Sequence, residues 1–153
     1  PGAILWLTLF RDKIDEIMEQ VKCPVAVFVN RQYREGTTVS FVLGGMIDLF
    51  LFSYLDKMLQ NGHSVRLFLF DTDDEEFRGR IDDLQVRYPE QTMIVWFEGV
   101  EDLVTEEKDG LLIMSHLSYT KLSEDEAVMR ELSSLLVIRR NKNTGDKNEG
   151  LEN

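Results

Sequence analysis

Residues 37–71, TTVSFVLGGMIDLFLFSYLDKMLQNGHSVRLFLFD, decide the fold. Residues 38–43 are a short apolar run rich in β-branched side chains and Phe, the composition of a strand. Gly44-Gly45 breaks it. Residues 46–60 then place Met46, Ile47, Phe50, Leu51, Tyr54, Leu55, Met58 and Leu59 at the spacing of a wide helical stripe. Asn61-Gly62 supplies the stop, because glycine enters the left-handed conformation without steric cost. Residues 65–70 form a second strand, ended by Asp71. A strand–helix–strand unit of this length predicts parallel pairing through a right-handed crossover.

Working outward, residues 3–10 are almost wholly apolar, as a buried strand is. Residues 11–22 predict an amphipathic helix with Ile14, Ile17, Met18 and Val21 on one face. Asp12, Asp15 and Glu16 sit in its first turns, where they complement the helix dipole. Cys23-Pro24 stops it, and residues 25–29 are a strand. Downstream, Thr72-x-x-Glu75 reads as a capping box opening a helix to about Arg87, with Phe77, Ile81, Leu84 and Val86 inward. Residues 92–97 are a strand, residues 100–108 a short helix or turn, and residues 111–115 a strand announced by Asp109-Gly110. Ser123-x-x-Glu126 reads as a second capping box starting a helix to about Ser133, and residues 135–138 are a last strand. Residues 141–153 are polar apart from Leu151 and are predicted to be a disordered tail. The order predicts an α/β, doubly wound, mostly parallel five-stranded sheet of Rossmann type over residues 37–140. An extra N-terminal β-α-β segment occupies residues 1–36.

The bulk properties narrow the function. The 153 residues amount to about one domain, and 43% hydrophobic content suffices for a core. A net charge of −11 argues against nucleic acid or an anionic membrane surface as partner, since both need a basic patch. The single cysteine, Cys23, excludes an internal disulfide and fits a reducing compartment. It follows a helix C-terminus, the wrong end to lower a thiol pKa, and is read as a packing residue. The 46–60 helix is too short to span a bilayer and carries Asp48, Asp56 and Lys57. The sequence opens inside an apolar run without a charged leader, which reads as a domain cut from something larger.

Several phrases carry a resemblance. Cys23-Pro24-Val25-Ala26-Val27-Phe28-Val29-Asn30-Arg31 is followed by Phe41-Val42-Leu43-Gly44-Gly45. Asn61-Gly62-His63-Ser64-Val65-Arg66-Leu67 precedes the second strand of the central unit, and Asp109-Gly110-Leu111-Leu112-Ile113-Met114-Ser115 and Ser134-Leu135-Leu136-Val137-Ile138-Arg139 come later. Together these resemble the universal-stress-protein fold. More narrowly, they resemble the cytosolic C-terminal region of cation/proton antiporters of the monovalent cation/proton antiporter-2 class. There, one stress-protein-like repeat ends in CPV-x-V-x-V-x-R and the next opens with a strand ending in Phe-x-x-Gly-Gly. The Gly-Gly-Met-helix passage is also similar to the C-terminal domains of cation–chloride cotransporters.

The resemblance implies a non-catalytic regulatory or dimerisation domain of a Na+/H+ or K+/H+ exchanger, without a cofactor. It would sit on the cytoplasmic side of the inner membrane, with the transport part on the same polypeptide but outside this sequence. It further implies a homodimer in which the final strand, Leu135, Leu136, Val137 and Ile138, pairs with its copy across a two-fold axis. The alternative is a free-standing stress-type protein that binds a nucleotide or another small ligand.

Nucleotide-binding members of that family carry G-x-x-G-x(9)-G-[ST] after the fourth strand, where main-chain amides cradle phosphate. Here that place reads Ser115-His116-Leu117-Ser118-Tyr119-Thr120-Lys121-Leu122-Ser123, without glycine. The acidic residue usual near the end of the first strand is replaced by Gly44-Gly45. The candidate ligand site is therefore Gly44, Gly45, Met46, Asp71, Ser115, His116 and Ser118, around the switch point of the sheet. No G-x-S-x-G elbow supports hydrolysis. Asp71-x-Asp73-Asp74-Glu75-Glu76 lacks the glycine and the bidentate Glu of a calcium loop; it reads as a helix start, and no metal is expected. Glu98, Glu101, Asp102, Glu106 and Glu107 read as a solvated face. His63 reads as a partner of the preceding helix dipole.

Overall fold

The computed structural model describes residues 3–6, 11–70, 72–105 and 107–140. The elements follow in the order β1 (Ala3–Trp6), α1 (Arg11–Gln20), β2 (Val25–Val29), β3 (Val39–Leu43), a 3-10 helix (Met46–Leu51), α2 (Phe52–Gln60), β4 (Val65–Phe70), α3 (Glu75–Arg87), β5 (Thr92–Phe97), a second 3-10 helix (Val100–Leu103), β6 (Leu111–Ser115), α4 (His116–Leu122), α5 (Glu126–Met129) and β7 (Ser134–Arg139). The predicted tail and residues 7–10 of the first predicted strand lie outside the described residues.

All seven strands join one sheet in the order β1-β2-β7-β6-β3-β4-β5. Strands β3 to β7 are mutually parallel, with Phe41 opposite both Leu67 and Ile113. This is the doubly wound α/β arrangement that the alternating pattern predicts. The strand count needs correcting, because the N-terminal β-α-β segment extends the same sheet. Strand β1 runs parallel to β2, and β2 runs antiparallel to β7, with Val27 opposite Val137. Strand β7 is thus an interior strand with β6 on its other side. The expectation that Leu135, Leu136, Val137 and Ile138 form a free edge for a second copy is overturned: both hydrogen-bonding sides are taken within the chain.

Two apolar layers flank the sheet, because every strand presents alternate residues to opposite faces. One layer packs Leu51, Leu55 and Leu59 with Phe77, Ile81 and Leu84 of α3 onto Phe41, Leu43, Leu67 and Leu69. The other packs Ile14 and Met18 of α1, Tyr119 of α4 and Met129 of α5 onto Val27, Met114, Leu135 and Val137. The β1-α1-β2 and β6-α4-α5-β7 units place their helices on the same face and meet in the antiparallel β2–β7 seam. They are therefore related by an approximate two-fold axis normal to the sheet. Two arginines lock the seam. Arg31 donates from Nη1 to the carbonyls of Met129 and Leu132, and its main-chain N donates to Ser134 Oγ at 2.7 Å. Arg139 donates to the carbonyls of Val21 and Cys23 just past α1.

Cys23 is exposed rather than packed, Val86 is 79% exposed rather than inward, and the helix expected to run to about Ser133 ends at Met129. The cap assignments also shift. Asp74, not Thr72, caps α3, its Oδ1 accepting from Glu76 N at 3.0 Å and Phe77 N at 3.2 Å. Asp125 caps α5, accepting from Val128 N, while Ser123 closes α4 by donating to Thr120 O.

Candidate functional site

In open α/β sheets, ligands collect outside the carboxyl ends of the strands, where neighbouring crossovers leave on opposite faces. That point lies between β3, which leads to α2 on one face, and β6, which leads to α4 on the other. Strand β3 ends in Gly44-Gly45. Gly45 has φ 140° and ψ −161°, a conformation essentially confined to glycine. It turns the chain sharply into the 3-10 helix. Three residues per turn then eclipse positions i and i+3, so Asp48 and Leu51 share the buried side and Ile47 turns out to solvent at 45% exposure. The continuous helix predicted over 46–60 is therefore overwound in its first half, and its inward face differs there. Met46 remains half-buried against the α2 layer.

The centre of the site is Asp48, which is fully buried. Its Oδ2 accepts from Gly44 N at 2.6 Å and from Ser118 Oγ at 2.9 Å. Ser118 N in turn donates to Ser115 Oγ at 3.1 Å, so Ser115 is the N-cap of α4. The second carboxylate oxygen, Oδ1, is buried and has no hydrogen-bond partner among the described residues. A Cβ on Gly44 would stand 3.2 Å from Asp48 Oδ2 and 3.3 Å from Ser118 Oγ, close enough that the carboxyl or the hydroxyl would have to shift to admit it.

The structure thus brings together Gly44, Ser115 and Ser118 of the predicted set around a residue the sequence reading did not choose. His116 is engaged elsewhere: its Nε2 lies 3.0 Å from Asp15 Oδ1 on α1, and its ring stacks near Tyr119. Asp71 lies outside the described residues. A glycine followed three residues later by an acid at a helix start was the available signal for Asp48, since such an acid can reach back to a main-chain amide.

Over this polar core lies a crevice of about 160 Å³. Val42, Ile47, Phe70, Phe97, Leu117 and Leu122 make it apolar, and Lys121 adds a cation. Ile47, Phe70 and Leu117 are 43–50% exposed at its mouth. A larger open hollow of about 860 Å³ lies at the opposite, amino ends of β3, β4 and β5, with Thr38, His63, Arg66 and Glu107 in its wall. Its half-buried cation, Arg66, is already paired with Glu107 at 3.2 Å. The carboxyl-end crevice is the better site because its polar groups converge on one point. No group of His, Cys, Asp and Glu among the described residues is arranged to hold a metal ion. No helix among them is long and apolar enough to cross a membrane.

No family model matches this chain, and neither the curated proteins nor the solved structures contain a significant match.

Proposed function

We propose that this chain is a non-catalytic regulatory and assembly domain of a monovalent cation/proton antiporter, held on the cytoplasmic side of the membrane by a transport part outside this sequence. The observation that carries the reading away from a nucleotide-binding stress protein is Asp48. Phosphate binding at a switch point needs bare amides at a helix N-terminus. Here the Gly44 amide is already spent on a buried carboxylate, and Ser118 is turned onto the same oxygen. An anion brought to that place would find both of these donors already held by the Asp48 carboxyl oxygen. The strand order of β3 to β7 and the phrases quoted above support the stress-protein-like part of the reading. The approximate two-fold relation between β1-α1-β2 and β6-α4-α5-β7 supports residues 1–36 as the end of a preceding repeat.

Two experiments test this. Titration calorimetry with ATP, AMP and cyclic dinucleotides should give no heat of binding; submicromolar affinity for any of them would return the chain to the nucleotide-binding stress proteins. The complete reading frame around this segment should encode ten or more apolar segments of spanning length. A frame without them overturns the transporter part.

A second reading rests on the apolar crevice beside Ile47, Phe70 and Leu117. A small, largely apolar effector could lodge there and act on the transport part through the Gly44–Met46 turn, since ligand pockets are mostly apolar with a few placed polar groups. A cation–chloride-cotransporter-type regulatory domain would use the same surface. Saturable binding lost in Leu117→Asp would favour the effector reading.

A further inference from the structure

We infer that β5 is the homodimerisation strand, pairing antiparallel with β5 of a second copy about a two-fold axis normal to the sheet. Strand β5 is one end of the seven-stranded sheet, and among the described residues nothing pairs with its outer side. Val65 N donates to Gln91 O, so the odd-numbered residues of β5 turn their main-chain groups toward β4. The N–H and C=O groups of Thr92, Ile94 and Trp96 therefore point outward. Natural edge strands are guarded by lysines, prolines, bulges or a covering helix. The run Thr92-Met93-Ile94-Val95-Trp96-Phe97 has no charge and no proline, and its six residues pair with β4 without a bulge. Instead it exposes Met93 at 59% and Trp96 at 45%.

Self-complementarity selects the second copy as the occupant and fixes the register. The axis keeps each face of the sheet on itself, so facing residues must both be odd or both be even. Centring on Val95 places Met93 opposite Phe97 and Ile94 opposite Trp96, all apolar and including an aromatic–branched pair. Glu98 then meets Thr92. Centring on Ile94 would instead set Glu98 against Glu90, two like charges. The Val95 register is therefore the one formed. Arg78, which lies 5.1 Å over the Trp96 ring from α3, stays with that ring at the polar rim of the interface.

This inference does not depend on the transporter reading, and a dimer would stand even if that reading failed. Sedimentation of the whole chain should give twice the mass of one copy. Met93→Lys combined with Trp96→Lys should give one copy that still unfolds cooperatively, with a melting temperature no longer dependent on protein concentration. As a second measurement, Val95→Cys in a Cys23→Ser background should form a disulfide-linked dimer on mild oxidation, because non-hydrogen-bonded antiparallel pairs bring Cα atoms to about 4.5 Å. Ile94→Cys should not. A wild-type chain that sediments as one copy at its highest soluble concentration overturns the inference. So does a dimer that survives both lysines, or one in which Val95→Cys fails to cross-link.

Discussion

Asp48 couples the end of one strand to the start of a helix on the opposite face of the sheet. Its Oδ2 satisfies both Gly44 N and Ser118 Oγ in a place without water access. Asp48→Ala leaves both donors stranded, at about 1–3 kcal/mol for each buried unsatisfied group. Chemical denaturation should therefore register a loss of about 2–6 kcal/mol in total, and Asp48→Asn, which keeps an acceptor, should lose less. Gly45→Ala should cost about 1–3 kcal/mol for the strained backbone alone, since open space surrounds its missing Cβ. A third residue sets an acid response. The Thr38 hydroxyl chiefly, with Arg66, holds the Glu107 carboxyl below its ordinary value against an opposing effect of burial. A carboxyl lowered on folding stabilises above its unfolded pKa, and that contribution disappears as pH falls through the folded value. Stability should therefore decline into acid below the usual carboxylate range, and Glu107→Gln should flatten part of that decline. The amplitude is small because Glu107 is exposed. Urea unfolding at several acidic pH values checks it. Asp48 was hidden in the sequence because an acid inside an apolar stripe looks like a solvent-facing residue until the 3-10 winding rotates it inward.

At the scale of elements, strands were the legible part. Residues 25–29, 65–70, 92–97 and 111–115 coincide with β2, β4, β5 and β6 because each is an apolar run fenced by Pro, Gly or a polar cluster. Helix starts were legible only to within two residues, since Thr72 and Asp74 are both chemically able to cap. Asp74→Ala should cost about 1 kcal/mol in thermal or denaturant unfolding. Loss of Thr72 should cost less, because among the described residues its hydroxyl accepts a single bond, from Asp74 N. Helix α4 was missed outright. The stretch from His116 to Leu122 has no clean stripe, and its cap, Ser115, is also the last residue of β6. The place of β7 was missed for a different reason: which side of a strand is paired depends on a segment some hundred residues away, and local pattern carries no trace of it. Leu135 is 1% exposed, so Leu135→Ala should cost about 2–5 kcal/mol, the range for a packed core position.

The whole molecule is one sheet assembled from two sources. Residues 37–140 supply five parallel strands, and residues from the N-terminal segment add two more across an antiparallel seam. A chain starting at residue 37 would lose Arg31 and β2, uncovering the main-chain groups of β7 and the apolar Val137 and Leu135. Such a chain should self-associate, as light scattering would report, even with Met93→Lys and Trp96→Lys present. The two lysines alone, in the full chain, should leave it dispersed. The resemblance read from the sequence implied a second copy at β7; strand β2 of the same chain takes that side instead.

The seam has a consequence for synthesis. Strand β7 is the last of the described strands to emerge from the ribosome, yet it sits between β2, made early, and β6. Until it is released, the growing polypeptide holds two halves that cannot close, and contacts between distant positions slow closure further. Translation pausing near the end of this segment should therefore leave a nascent chain unusually open to proteases and chaperones.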